Sequence, residues 1–322
     1  MSTLNAIKKS IDKEMSLFDK KFSELIKGKQ PLVDKIMTYI LRSKGKKIRP
    51  ILVLLCAKSV GKVNESTYRA ASMIELLHTA TLIHDDVVDD ANIRRGFFSI
   101  NALWKNKAAV LIGDYLLSKG LLLAVKNKEF SLLKIISGCV EEMSVGELLQ
   151  IEKSRKLDIT EPIYFDIIRK KTAALISACC ESGAISTAKD MELVKKMKLF
   201  GEKAGVAYQI KDDLLDYEKT SIIGKPSKTD IKEKKITLPL IYTLNKVNEL
   251  TRKKIIRIIK NEESENFIKV LEIVKNEGGL NYAEKIMNQY KDEAKKILDS
   301  FKNSDEKKSL QALLNYMVKR KK

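Results

Sequence analysis

Apolar positions recur along most of this 322-residue chain at steps of three and four. That is the period of a helix with one buried face. Leu4, Ile7, Ile11, Met15, Phe18, Phe22 and Leu25 set the pattern and predict a helix over Leu4–Ile26. A break at Gly28–Pro31 precedes a second helix ending near Ser43. Gly45–Pro50 reads as a tight basic turn, and Ile51–Ser59 restarts the helix. Glu65–Ala91 reads as one long helix whose apolar residues (Met73, Ile74, Leu76, Leu77, Ala80, Leu82, Ile83) cover most of its circumference. A helix apolar all round belongs inside a bundle. Further helices are predicted over Ile100–Lys107, Ala108–Lys126, Phe130–Glu152, Pro162–Ser186 and Met191–Glu218. A polar loop, Lys219–Lys235, follows, and helices resume from Thr237 to the end. No linker, low-complexity segment or solenoid-period repeat interrupts the chain, so 1–322 reads as a single domain.

Composition sharpens the fold class to all-α. Fourteen Gly and five Pro in 322 residues are too few for a turn-rich β fold. There is no βαβ rhythm and no Gly-rich phosphate loop. The longest uninterrupted apolar run, Ile51–Ala57, is far shorter than the roughly 20 residues of a membrane span. Residues Met1–Met15 lack the apolar core of a signal sequence. Cys56, Cys139, Cys179 and Cys180 have no metal or redox spacing and read as small core residues. A reducing cytoplasm is the expected location.

The net charge of +19 raises the question of nucleic acid. Of 61 basic residues only ten are Arg, the residue that reads bases and phosphates bidentately. Lysine is spread along the whole chain and no nucleic-acid motif is visible. The expectation is a solvated basic surface with no nucleic-acid partner. Peripheral contact with anionic lipid stays open.

Chemistry concentrates in one repeated pattern. Asp85-Asp86-Val87-Val88-Asp89-Asp90 ends the apolar helix, and Asp212-Asp213-Leu214-Leu215-Asp216 ends another. Each contains Asp-Asp-x-x-Asp. Residues i and i+4 share a helix face, so Asp85 points with Asp89 and Asp212 with Asp216. Like charges at that spacing oppose a helix, and an apolar setting adds a desolvation cost. A cation must offset both. Oxygen-only ligands in pairs suit Mg²⁺, which keeps waters and bridges to substrate phosphates. EF-hand and zinc spacings are absent. Basic residues cluster beside the motifs: Lys46, Lys47 and Arg49 in a turn, Arg94-Arg95-Gly96 after the first motif, Lys225 after the second. Gln209 shares the face of Asp212, Asp213 and Asp216, and Lys171-Thr172 lies on an intervening helix. His78 sits two turns before Asp85 on the same face and can reach a ligand. His84 reads as a packed neighbour and Lys47 as a solvated side chain.

These residues resemble the trans-type polyprenyl diphosphate synthases. The matching segments are Gly45–Pro50, His78–Gly96, Gly113–Leu116, Gly146–Gln150, Lys171-Thr172 and Gly201–Leu240. The resemblance implies long antiparallel helices around a deep central cavity, an isoprenoid synthase-like fold. It implies that Lys46, Arg49, His78 and Arg95 bind isopentenyl diphosphate. Arg94, Lys171, Thr172, Gln209 and Lys225 are implied to bind the allylic diphosphate, with Lys235 a further basic contact. Asp85, Asp89, Asp212 and Asp216 are implied ligands of several Mg²⁺ ions, with Asp85, Asp89, Asp212 and Lys171 central to catalysis. A homodimer is implied as well. Lys234-Lys235 stands where a Gly-Lys pair is usual in the family.

The same resemblance places the growing chain along the first-motif helix. Short-product members carry an aromatic at one of the positions held here by Ala80 and Thr81, with Leu77 and Ile74 beyond. Neither is aromatic. Ile74 to Asp85 spans about 16 Å of helix, and the expected product is about C30–C40 by that analogy. The competing readings are a geranylgeranyl or farnesyl diphosphate synthase, a terpene cyclase, a partner-dependent subunit, and a basic helical scaffold.

Overall fold

In the computed structural model the backbone is described for residues 3–28, 30–42, 45–94, 96–223, 236–261 and 264–320. Side chains are described for the same residues except 3, 218–223 and 264–267. The described backbone is almost entirely helical. In chain order the helices are α1 (Thr3–Lys8), α2 (Asp12–Ile26), α3 (Pro31–Arg42), α4 (Ile48–Val60), α5 (Glu65–Val88), α6 (Ile100–Lys126), α7 (Phe130–Lys156), α8 (Glu161–Ile168), α9 (Ala174–Ile185), α10 (Met191–Ile223), α11 (Leu238–Lys246), α12 (Glu249–Lys260), α13 (Ser264–Asn276), α14 (Gly279–Asp299) and α15 (Asp305–Lys319). The chain divides into two compact units, each assembled from separate stretches. Met1–Gly138, Ala178–Lys198 and Phe301–Leu310 form the first; Cys139–Ser177, Leu199–Ser300 and Gln311–Lys322 form the second.

The first unit is built on α4, α5 and α6. Ile51–Ala57 of α4 is wholly buried, so this apolar run is a core helix. At roughly 1.5–3 kcal/mol per buried large side chain, such burial drives the packing. α5 starts on a capping box: Asn64 accepts from the Thr67 amide at 3.1 Å, and Thr67 Oγ1 accepts from the Asn64 amide at 3.3 Å. Thirteen of its residues are buried, as its apolar circumference requires. α6 lies against it at close range. A Cβ on Gly113 would fall 2.0 Å from His84 Nε2, so only glycine lets the imidazole seat on α6, where Nε2 lies 3.1 Å from the Val110 carbonyl.

The second unit has a contiguous core that includes Tyr164, Ile210, Leu238, Ile241, Ile255 and Val274. All four cysteines of the chain are buried and unbridged.

Several sequence expectations change. The predicted helix over Pro162–Ser186 is interrupted by a π-helical turn at Arg169–Ala173, which the 3.6-residue period cannot register. α4 begins at Ile48, inside the predicted turn, and Lys47 precedes it at φ 52°, ψ 38°. The region after Asp90 is a short hairpin, β1 (Ile93–Arg94) paired with β2 (Phe97–Phe98), turned through Gly96 at φ +82°. The predicted division of the α6 region holds as a kink, with Lys105 at φ 70°, ψ 162°. α6 is nonetheless long and apolar enough to cross a membrane, although most of it is not buried. Asp114 and Lys119 divide its apolar residues, so it holds no long uninterrupted apolar run.

Candidate active site

The first acidic motif closes α5. Asp85 and Asp89 are exposed, and the Asp89 amide donates to the Asp85 carbonyl at 2.8 Å, finishing the helix. Asp86, between them, turns inward and is buried. Its carboxylate accepts from Arg94 Nε at 2.6 Å, a charge-assisted bond delivered by β1. The motif therefore splits into one inner, paired carboxylate and two outer ones. Arg94 reaches this motif through Asp86. Of the remaining residues expected here, Lys46 is exposed and His78 is buried on α5. Arg49 is half-buried, and its Nε has no hydrogen-bond partner among the described residues. A buried donor of this kind costs about 1–3 kcal/mol until an acceptor arrives, so Arg49 suits an anionic ligand. Lys47 corrects the sequence reading: it is ion-paired with Asp19 and mostly buried, because its left-handed backbone aims it back at α2. Ala80 and Leu77 are buried, and the Thr81 hydroxyl donates to the His78 carbonyl at 3.0 Å.

The second motif lies on α10 and splits differently. Asp213 is buried. Tyr164 Oη donates to its Oδ2 at 2.6 Å and Gln209 Nε2 to its Oδ1 at 2.8 Å. Burial pushes the Asp213 carboxyl up to about 7, against the lowering effect of these bonds. Burial likewise pushes the Tyr164 phenol upward, with the Asp213 charge adding to it. Gln209 Oε1 in turn accepts from Thr172 at 2.6 Å, so one relay runs from Tyr164 to Thr172. Asp212 is paired with the guanidinium of Arg320. Asp216 lines a cavity of about 190 Å³ with Lys171, Thr172, Gln209, Asp213 and Tyr164.

Lys171 and Thr172 sit on the π turn, a form common at functional sites. Two close approaches seat it. A Cβ on Gly205 of α10 would come 2.6 Å from Ala173 Cα, and one on Gly146 of α7 would come 2.9 Å from the Lys171 amide nitrogen. Lys171 Nζ bonds Glu147 at 2.6 Å and Gln150 Oε1 at 3.1 Å. Arg95, Lys225 and Lys235 lie outside the described residues. Sequence reasoning missed Tyr164, Arg320 and the seating role of the two glycines. The signal for Arg320 was its identity, a rare Arg ending a Lys-rich chain.

A metal can be tested against this donor set. Among the described residues, no three His, Cys, Asp or Glu side chains converge on one point. The outer carboxylates come two to a motif and supply only hard oxygen. That fits a divalent cation that keeps waters and completes its shell with substrate phosphates; Asp85 and Asp89 would hold one at the first motif, and Asp212 and Asp216 one at the second.

Comparison with known proteins identifies the family. The sequence profile of the Polyprenyl synthetase family matches residues 30–275. An all-trans-nonaprenyl-diphosphate synthase (geranyl-diphosphate specific) from Rhodobacter capsulatus is 36% identical over 307 residues, 95% of this chain and 93% of that protein. A short chain isoprenyl diphosphate synthase from Methanothermobacter thermautotrophicus is 33% identical over 288 residues, 88% of each chain. The crystal structure of polyprenyl synthase from Caulobacter crescentus CB15, complexed with calcium and isoprenyl diphosphate, superposes with a TM-score of 0.90 at 28% identity, covering 99% of this chain and 98% of that one. An all-α chain with two split aspartate motifs and this breadth of similarity belongs to the polyprenyl synthetase family, the trans-type prenyl diphosphate synthases.

Proposed function

We propose that this prenyltransferase is a Mg²⁺-dependent synthase that adds isopentenyl diphosphate to an allylic diphosphate in successive head-to-tail trans steps. Isopentenyl diphosphate falls to Lys46, Arg49 and His78. The allylic diphosphate falls to Lys171, Thr172 and Gln209, with Arg94 held in place by Asp86. Bound Mg²⁺ supplies charge stabilisation for the departing diphosphate. Lys171, oriented by Glu147 and Gln150, adds a fixed positive charge to the same end. Buried apolar residues of α5 keep water from the allylic cation. The allylic C–O bond breaks to give that cation and diphosphate, and the double bond of isopentenyl diphosphate then attacks the cation, forming one C–C bond. The proton then lost passes to the released diphosphate.

The observation that carries this reading is the recurrence of Asp-Asp-x-x-Asp on two helices, each with its second aspartate buried and hydrogen-bonded, in a chain that matches the Polyprenyl synthetase family over residues 30–275. For product length, the small residues Ala80 and Thr81 and about 16 Å of helix below Asp85 support about C30–C40, a quinone side-chain precursor. The relatives span short to long products, so length belongs to this proposal. Incubation of the purified chain with farnesyl diphosphate, isopentenyl diphosphate and Mg²⁺, with mass-resolved products, tests it. Products beyond C20 are expected. Products stopping at C15 or C20 select the short-chain alternative, and no elongation defeats the reading.

The active form is proposed to be a cytoplasmic homodimer. Past its kink, α6 exposes Val110, Leu111, Leu121, Leu122 and Val125 at 41–58%. Their spacing forms one stripe along the helix. A second copy covering that stripe removes it from water. Light scattering should give a dimer mass, with Leu111→Lys and Leu122→Lys shifting it to monomer. Vesicle binding in place of dimerisation assigns the stripe to membrane contact instead.

A further inference from the structure

α15 ends at Lys319, and Arg320 follows it. The Arg320 guanidinium pairs with the Asp212 carboxylate. From Nη1 it donates to the Tyr208 hydroxyl at 2.8 Å, and Cζ stands 3.9 Å from the centre of the Tyr208 ring. Tyr208 and Asp212 are four residues apart on α10, so one face of one helix holds the arginine by both ring and carboxylate. The side chain is 14% exposed, and its Nε is buried with no hydrogen-bond partner among the described residues. This is a planar, permanently charged fork, one of only ten arginines among 61 basic residues.

Asp212 is also the first carboxylate of the second motif. A guanidinium and a divalent cation cannot both sit against one carboxylate without strong mutual repulsion. We propose that Arg320 is a resident counter-ion of Asp212, which competes with the divalent cation and so sets how tightly the second motif takes metal. This rests on the reading of Asp212 as a metal ligand. The ring of Tyr208 gives the displaced guanidinium a place to stay, so Arg320 remains docked on α10 in both states. Arg320 acts through Asp212 and is a positioning residue.

The test is Mn²⁺ alone, titrated into the full chain and followed by the electron paramagnetic resonance of the free ion. Arg320→Gln should bind Mn²⁺ about tenfold tighter or more than the unmodified protein. The gain should vanish when Asp212→Asn is added. Arg320→Lys, which keeps the charge and loses the fork, should fall between. Tyr208→Phe keeps every charge and loosens the arginine, so it should show a smaller gain in the same direction. It carries the test if Arg320→Gln does not fold. Equal or weaker Mn²⁺ binding in Arg320→Gln, or none measurable in either protein, overturns the proposal. Failure of the synthase reading shows separately, as absent elongation by the unmodified chain whatever the Mn²⁺ curves do.

Discussion

The two Asp-Asp-x-x-Asp stretches share a spacing and differ in what balances the inner aspartate. On α5 the inner Asp86 meets a full positive charge, Arg94, at 2.6 Å. On α10 the inner Asp213 meets only neutral donors, the Tyr164 hydroxyl and the Gln209 amide. A carboxylate facing only neutral donors has no full positive charge to offset its desolvation, and the Asp213 carboxyl rises to about 7. The outer aspartates differ too. Asp85 and Asp89 are exposed at a helix end, whereas Asp212 already holds Arg320. One sequence pattern thus gives two electrostatic settings. The common element is geometric: the second aspartate of each motif is buried and hydrogen-bonded.

The largest expected effect common to both motifs is metal removal. Chelation by excess EDTA should abolish prenyl elongation, and Mg²⁺ should restore it. Elongation persisting in EDTA breaks the reading of both motifs together.

The next effect separates them. Arg94→Ala strands the buried Asp86 charge and should lower stability by about 2–3 kcal/mol, discounted for the partial exposure of Arg94. Tyr164→Phe removes one neutral hydrogen bond and should cost about 1–2 kcal/mol. Urea unfolding of the two variants checks the order, and a Tyr164→Phe loss exceeding that of Arg94→Ala would reverse the comparison.

Stability against pH sharpens the contrast further. The folded pKa of Asp213 is raised above its ordinary value of 3.8 to about 7. Its contribution is therefore fully present below about pH 4 and is lost as pH rises toward 7. Asp213→Asn should remove that part of the slope, so its melting temperature should gain on the unmodified protein between pH 4 and 7. Parallel melting curves across that window contradict the assignment.

A further effect concerns seating. Gly205→Ala should cost about 1–3 kcal/mol by pressing on the π turn, and should raise the KM for the allylic substrate as Lys171 and Thr172 shift. An unchanged KM would detach the glycine from the site.

Much of this was legible in the sequence. The apolar circumference of residues 73–83 marked α5 as a core helix, and the spacing of Asp85 with Asp89 and of Asp212 with Asp216 marked the presented carboxylates. What escaped has physical causes. Periodicity reads a face but not a change of helical pitch, so the π turn at 169–173 was invisible. Composition gives charge but not pairing, so the partners of Lys47 and Asp212 were hidden. A helical spacing rule cannot say which of two adjacent aspartates faces inward, because that depends on Arg94 from β1 and on Tyr164 from α8.

The central proposal is that the outer aspartates of each motif hold divalent cation for the departure of an allylic diphosphate. Asp85→Ala and Asp212→Ala, each with helical content and melting temperature verified, should each slow elongation of farnesyl diphosphate by about 10²-fold or more at saturating Mg²⁺. Folded variants of either kind elongating at the unmodified rate would contradict it.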